Sequence, residues 1–163
     1  MKVLLLNPPN TGYYYRLGAF YPPLGVAYLS SMLKRAGHQT RIVDMNAEKF
    51  DLRKENYEDY DLVGISVDTV RSNIAYKIAN CIKKRSKNTI VVFGGPHASA
   101  EVKEILRNKI ADYVVIGEAE ESFLNLVENI NNKEMYPEIP GVAYLKDDEL
   151  KVFPGKFIND LDT

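Results

Sequence analysis

The residues best suited to hold a ligand form a short run, Gly94-Gly95-Pro96-His97, directly after an apolar segment. That segment, Thr89 to Phe93, is rich in β-branched residues, which is typical of a strand buried on both faces of a parallel sheet. Two adjacent glycines have no Cβ atoms, so the backbone can approach a flat or bulky ligand closely. Ligands of open α/β sheets bind beyond the carboxyl ends of the strands, and this run therefore predicts a ligand site.

Polar and glycine residues end two further predicted strands. Ser66, Asp68 and Thr69 close the strand over residues 62–67 and can offer oxygen atoms to a helix N-terminus or to a ligand. Gly117 ends the strand over residues 113–116, and acidic residues crowd the start of the helix that follows. Favourable interaction with the helix dipole is sufficient to explain these carboxylates.

The elements that must position these residues alternate regularly. Apolar strands over residues 2–6, 40–43, 62–67, 89–93 and 113–116 are separated by amphipathic helices. This alternation predicts an α/β fold with a doubly wound, five-stranded parallel sheet. Ser99 is expected to cap a short helix after the central strand. The long aromatic loop from Tyr13 to Phe20 is either a lid packed by its own rings or a hydrophobic wall over a large ligand.

The last stretch departs from the alternation. Short strands over residues 141–145 and 150–153 flank a polar turn and predict a C-terminal β-hairpin. We therefore expect an α/β domain over residues 1–135, followed by a hairpin and linker over residues 136–163. The open polar ending suggests a linker towards a further domain.

The composition narrows the class of protein. The length of 163 residues suits one domain with a real core, and the formal net charge of −1 gives no electrostatic case for nucleic acid or an anionic membrane. No apolar run approaches the roughly 20 residues that span a bilayer. The single cysteine, Cys81, excludes an intrachain disulfide and a multi-cysteine metal site. These features favour a cytoplasmic protein.

Several segments together carry a family resemblance through their order and spacing. They are Asn7-Pro8-Pro9, Tyr21-Pro22-Pro23-Leu24-Gly25-Val26-Ala27-Tyr28-Leu29, Ile42-Val43-Asp44-Met45-Asn46-Ala47, Val63-Gly64-Ile65-Ser66-Val67, Phe93-Gly94-Gly95-Pro96-His97-Ala98, Gly117-Glu118-Ala119-Glu120 and Ile139-Pro140-Gly141-Val142-Ala143-Tyr144. The combination resembles the N-terminal cobalamin-binding domain of cobalamin-dependent radical S-adenosylmethionine (SAM) enzymes. The resemblance covers nearly the whole chain.

The resemblance implies a flavodoxin-like sheet that holds cobalamin with its nucleotide tail detached from cobalt and buried. Gly94 and Gly95 would line the slot for the dimethylbenzimidazole of that tail, with Pro96 completing the turn. The resemblance also implies that Ser66 and Thr69 contact the tail or the corrin amides. It implies that Gly117 and Glu118 form the far wall of the slot. For His97 the resemblance favours a hydrogen bond near the tail over metal ligation.

One departure concerns the lower ligand of cobalt. Cobalamin domains of mutases and of methionine synthase carry Asp-x-His-x-x-Gly after the second strand, whereas this chain reads Asp44-Met45-Asn46-Ala47-Glu48-Lys49. Radical SAM members commonly lack that histidine too. Asn46 would at most hydrogen-bond a water molecule or a corrin amide.

The resemblance also implies a partner domain. The Cys-x-x-x-Cys-x-x-Cys motif of radical SAM enzymes is absent from these residues, and Cys81 on a predicted helix cannot replace it. S-adenosylmethionine and a 4Fe-4S cluster are therefore expected in a downstream radical SAM domain of the same polypeptide, and the full-length enzyme is expected to transfer methyl groups or form rings. Two alternatives stay open: a flavodoxin-like domain that binds a flavin or nucleotide, and a non-catalytic interaction module.

Overall fold

A computed structural model describes residues 1–10, 22–130 and 138–155. The aromatic loop from Tyr13 to Phe20, the expected boundary at residue 135 and the polar tail after residue 155 lie outside the described residues.

One sheet of seven strands forms the centre of the molecule, in the order β2-β1-β3-β4-β5-β6-β7. The strands are β1 (Lys2–Asn7), β2 (Gln39–Asp44), β3 (Leu62–Ser66), β4 (Ile90–Gly94), β5 (Tyr113–Val115), β6 (Val142–Lys146) and β7 (Glu149–Val152). The pairs among β1 to β5 are parallel, whereas β6 pairs with β5 and β7 with β6 in antiparallel fashion. The fold is therefore α/β with a mixed sheet, in which the two last strands extend the parallel part.

Helices cover both faces of the sheet. They are α1 (Leu24–Arg35), α2 (Ser72–Arg85), α3 (Pro96–Ala100), α4 (Val102–Arg107) and α5 (Glu120–Asn129), and a 3-10 helix spans Tyr57–Asp59. The apolar sides of α1 and α5 pack on one face through residues such as Leu33 and Phe123. Those of α2, α3 and α4 pack on the other through residues such as Ile78 and Ile105. The sheet is thus wound on both sides, as the alternation predicts.

The helix after β4 differs from the prediction, because Ser99 does not cap it. Pro96 occupies the first turn of α3, where its fixed φ is favourable and its missing N–H costs nothing. Ser99 lies inside α3 and donates its backbone N–H to the carbonyl of Gly95 at 3.0 Å. A second helix, α4, then begins at Val102 after Glu101. The capping prediction was wrong.

The end of the described chain returns to the carboxyl edge of the parallel strands. Gly141 donates its N–H to the carbonyl of Phe153 at 2.8 Å. A Cβ on Gly155 would lie 3.7 Å from the carbonyl oxygen of Ile116, the residue after β5. Residue 155 therefore lies beside the end of β5.

Among the described residues, no helix combines the length and the apolar character that crossing a bilayer requires.

Candidate functional site

A cavity of about 240 Å³ opens at the carboxyl edge of the parallel strands, on the face covered by α1 and α5. Its walls come from the strands β1, β3, β4 and β5 and from both helices. The lining residues are Leu5, Gly25, Val26, Leu29, Gly64, Ile65, Ser66, Val92, Phe93, Gly94, Gly95, Val115, Gly117, Glu118, Ala119, Glu120 and Phe123. Most of these residues are apolar or glycine, so the cavity suits an apolar group.

Glycine at position 64 shapes the floor of the cavity. A Cβ there would lie 2.9 Å from Cδ2 of Leu5 and 3.2 Å from Cζ of Phe123. Only glycine therefore lets these two side chains approach β3 without displacement. Gly64 is not among the site residues predicted from the sequence, although a glycine inside a buried strand is a signal of such close approach.

Gly94 and Gly95 both line the cavity but are glycine for different reasons. A Cβ on Gly94 would have one neighbour, the carbonyl oxygen of Val115, at 4.0 Å, so the missing side chain leaves open space. Gly95 has a φ of +101°, and a Cβ there would lie 2.8 Å from the carbonyl oxygen of Val67. Gly94 thus leaves room for a ligand, whereas Gly95 permits two backbone segments to pack.

The other predicted residues that line the cavity lie across from one another. Ser66, at the end of β3, is paired in register with Gly94 on β4. Gly117 and Glu118 follow β5 and are exposed, and Gly117 has a φ of +72°. The structure therefore brings five of the predicted residues, namely Ser66, Gly94, Gly95, Gly117 and Glu118, together around one cavity.

The remaining predicted residues lie outside the cavity lining. Thr69 and Pro96 are exposed. Nε2 of His97 lies 3.0 Å from the hydroxyl of Tyr76 on α2, a hydrogen bond on the opposite face of the sheet. Burial, together with the carboxylates of Glu104 and Glu101, raises the pKa of Tyr76 and keeps its hydroxyl protonated.

The side-chain carboxamide of Asn46 makes three hydrogen bonds at the end of β2. Its side-chain Nδ2 donates to Oδ1 of Asp44 at 2.8 Å and to the carbonyl of Pro8 at 3.4 Å. Its Oδ1 accepts the backbone N–H of Asn10 at 2.6 Å. The carboxamide of Asn46 is therefore engaged within the protein and holds together the chain segments that follow β1 and β2.

A polar network continues from Asn46 towards β3. Nδ2 of Asn7, a buried residue, donates to Oδ1 of Asp44 at 2.9 Å, and its Oδ1 accepts from Arg71 at 2.7 Å. Arg71 in turn pairs with Asp68 at 2.6 Å. Partial burial raises the pKa of Asp68, but hydrogen bonds and charge from Arg71 outweigh it and leave that pKa below its ordinary value. This network fixes the ends of β1, β2 and β3 relative to one another.

The cavity lining combines an apolar interior with a few polar side chains. No group of three or more histidine, cysteine or acidic side chains in the described parts of the chain could hold a metal ion. The cavity lining includes the carboxylates of Glu118 and Glu120 and the hydroxyl of Ser66 as its polar side chains. The chemistry of this site is therefore that of an apolar binding slot with a polar mouth.

Comparison with known proteins places this chain in a family. The family model described as "B12 binding domain" matches residues 13–127, which includes every strand and helix of the parallel part except β1 and the last two residues of α5. Vitamin B12 is cobalamin, so the match agrees with the resemblance drawn from the sequence segments.

Curated relatives match almost the whole chain. An uncharacterized methyltransferase of Pyrococcus horikoshii is 35% identical over 160 residues, which is 94% of this chain and 35% of the relative. An anaerobic magnesium-protoporphyrin IX monomethyl ester cyclase of Synechocystis is 26% identical over 171 residues, which is 99% of this chain and 34% of the relative. The chain thus spans about a third of the length of the curated relatives it matches.

Solved structures share the fold. The radical SAM methyltransferase TsrM from Kitasatospora setae superposes with a TM-score of 0.76 at 20% identity, over 94% of this chain and 30% of TsrM. The cobalamin-dependent radical SAM enzyme OxsB, with aqua-cobalamin and S-adenosylmethionine bound, superposes with a TM-score of 0.80 at 19% identity, over 97% of this chain and 22% of OxsB. At these identities the likeness shows the fold, and it is the family match that assigns the chain. This chain belongs to the B12-binding domain family and resembles the B12-binding domains of cobalamin-dependent radical SAM methyltransferases.

Proposed function

We propose that this chain binds cobalamin with the nucleotide tail of the cofactor inserted in the cavity at the carboxyl edge of the sheet. The observation that carries the proposal is an apolar cavity whose mouth is opened by Gly94 in a chain that matches the B12-binding family over residues 13–127. The location agrees with the general rule that ligands of open α/β sheets bind beyond the carboxyl ends of the strands.

The size of the cavity supports partial insertion of a large ligand. Its volume of about 240 Å³ lies below the ~300–1,000 Å³ that encloses a whole drug-sized ligand. One bicyclic ring such as dimethylbenzimidazole suits such a space, whereas a corrin ring does not. The corrin would therefore lie outside, over the exposed edge of the sheet.

Each predicted residue receives a place in this proposal. Ser66, Gly94, Gly95, Gly117 and Glu118 would contact the tail, since they line the cavity. Asn46, Thr69, Pro96 and His97 lie outside the lining and would border the corrin. Three residues that were not predicted from the sequence, Leu5, Gly64 and Phe123, form the apolar floor of the cavity. They would pack against the dimethylbenzimidazole of the tail.

The whole protein is proposed to be a radical SAM enzyme. The relatives are about three times as long as this chain, and the names of several are those of methyltransferases. Bound cobalamin supplies a cobalt that can carry a methyl group, and the protein supplies binding and orientation. We propose that residues 1–135 form the cofactor-binding unit and that residues 136–163 add a hairpin and a linker. S-adenosylmethionine and a 4Fe-4S cluster would belong to a downstream domain in a cytoplasmic enzyme.

Titration of the full chain with hydroxocobalamin and methylcobalamin tests the cofactor assignment. We expect saturable changes in the visible spectrum, including the shift that accompanies release of the nucleotide base from cobalt. Flavin mononucleotide added in parallel should leave its own absorption and fluorescence unchanged. Binding of the flavin instead of the corrinoids would favour the flavodoxin-like alternative, and binding of neither would favour the interaction module.

The whole-enzyme assignment has a separate test. Sequencing the gene beyond Thr163 should reveal a Cys-x-x-x-Cys-x-x-Cys motif in the same reading frame. A stop codon with no such motif encoded in the same polypeptide would contradict the proposed partner domain without affecting the cofactor assignment.

A further inference from the structure

The strands β4 and β5 part at the mouth of the cavity. Their register ends with the pair Phe93 and Val114. Beyond that pair, the carbonyl of Gly94 accepts from Val67 at 2.8 Å, on the side of β3, and Ile116 donates to Gly141 at 2.7 Å, on the side of β6. The backbone groups after the two strands therefore bond away from each other, which opens the gap between them.

The side chain of Ser99 bridges this gap. Its hydroxyl donates to the carbonyl of Gly95 at 3.1 Å and accepts the backbone N–H of Gly117 at 3.1 Å. Gly95 follows β4 and Gly117 follows β5, and both residues line the cavity. One hydroxyl thus ties together the two loops that form opposite sides of the cavity mouth, although Ser99 itself is not part of the lining.

From this geometry we infer that Ser99 is a positioning residue that sets the width of the cofactor slot; the inference rests on the proposed function. Gly117 has a φ of +72° and no atom within 4 Å of its Cβ position, so side-chain packing at that position does not fix its loop. The loop after β4 is held by two hydrogen bonds to Val67, whose N–H donates to the carbonyl of Gly94 at 2.8 Å and whose carbonyl accepts the N–H of His97 at 3.2 Å. Ser99 transmits that fixed position to the loop after β5.

Replacement of Ser99 tests the inference in the full chain. Ser99→Ala removes both hydrogen bonds, of which the one from Gly117 reaches the loop after β5. We therefore expect the dissociation constant for hydroxocobalamin to rise about fivefold, the change that the loss of one hydrogen bond of ordinary net strength produces. Ser99→Thr keeps a hydroxyl at the same position and should restore binding to within about twofold of the unmodified chain. If both variants bind like the unmodified chain, the inference is overturned while the cofactor assignment stands.

A matched serine distinguishes positioning from general stability. Ser86 is 2% exposed, and its hydroxyl oxygen accepts from the N–H of Thr89 at 3.3 Å and from the hydroxyl of Thr89 at 2.8 Å. It also lies before β4, at the amino edge of the sheet. Ser86→Ala should lower the melting temperature at least as much as Ser99→Ala and leave the cobalamin affinity unchanged. Equal loss of affinity in both variants would overturn the inference.

Hydrogen exchange of the Gly117 amide gives a readout that needs no cofactor. In the cofactor-free chain we expect Ser99→Ala to speed this exchange about fivefold relative to the unmodified chain and Ser99→Thr to leave it unchanged. Unchanged exchange in Ser99→Ala would overturn the inference, whatever the titrations show. The unmodified chain could instead fail to bind any corrinoid while the exchange result is as expected. That outcome would overturn the proposed function, and the role of Ser99 would be only to join the two loops.

Discussion

The carbonyl oxygen of Val67 lies 2.8 Å from the position that a Cβ atom on Gly95 would occupy. The adjacent Gly94 has no such neighbour, since the nearest atom to its Cβ position is 4.0 Å away. Two consecutive glycines that look equivalent in the sequence therefore differ in their surroundings, since a side chain on Gly95 would meet backbone and one on Gly94 would enter open space. This contrast makes it possible to separate loss of binding from loss of folding by substitution.

Substitutions of increasing size at Gly94 should weaken cofactor binding in proportion to the space they fill. Gly94→Ala is expected to reduce cobalamin affinity slightly, and Gly94→Val roughly tenfold or more, because a filled slot forces the ligand or the loop to move. Spectroscopic titration measures both. Ala100→Val, at an exposed position of α3, serves as the control and should bind normally. A Gly94→Val variant with unchanged affinity would show that the tail does not enter this cavity.

Gly95→Ala should destabilise the protein itself. The alanine would have a φ of +101°, and its Cβ would press against the Val67 carbonyl. We expect this strain to lower the unfolding free energy by about 1–3 kcal/mol. Urea unfolding of the cofactor-free chain measures this loss. Gly94→Ala makes the same chemical change at the adjacent position and should lower the unfolding free energy much less. Equal stabilities of the two variants would contradict the distinction between the glycines.

The ion pair between Asp68 and Arg71 should make stability depend on acid pH. The pKa of Asp68 in the folded chain lies below its unfolded value, so the pair stabilises the fold above the unfolded pKa and loses this contribution as the pH falls through the folded pKa. Asp68→Asn should therefore lower the unfolding free energy near neutral pH, by less than about 1 kcal/mol because the Asp68 side chain is 38% exposed. Denaturant unfolding between about pH 2 and 7 should show the two chains converging at the acid end. A difference that stays constant down to the acid end would contradict the assignment.

Asn46 should matter for the fold more than for cobalt. Because its carboxamide contacts Asp44, Pro8 and Asn10, Asn46→Ala is expected to cost about 1 kcal/mol of stability. The absorption and paramagnetic resonance spectra of bound cob(II)alamin should stay the same as in the unmodified chain. Asn129→Ala, which removes one exposed hydrogen bond to Asn125, is the control for stability. A changed resonance spectrum in Asn46→Ala would mean that Asn46 acts on the cobalt.

Much of this architecture follows from local patterns in the chain. The run from Thr89 to Phe93 predicts β4, and isoleucines at i+4 spacing predict α2, because one buried face dictates each pattern. The Gly94-Gly95 turn predicts a ligand site, because it follows a buried strand at the carboxyl edge of the sheet. These predictions required only neighbours along the chain.

Other features depend on contacts between distant segments and could not be read in this way. The apolar floor joins Leu5 on β1, Gly64 on β3 and Phe123 on α5, and only the folded sheet brings them together. The partner of His97 is Tyr76 on α2, which directs the imidazole away from the cavity. The sequence also does not reveal that β6 joins the edge of β5, since an antiparallel pair of strands can equally stand apart from a parallel sheet.

The return of the chain to Ile116 at residue 155 has a consequence for how a larger enzyme could be assembled. A domain joined through a short tether at that point would start its path at the rim of the slot, next to Gly117. Its effective concentration over the exposed rim would be on the order of millimolar, so even weak docking forces would suffice to close the two parts over one cofactor. Lengthening the tether should then loosen that closure without altering either part.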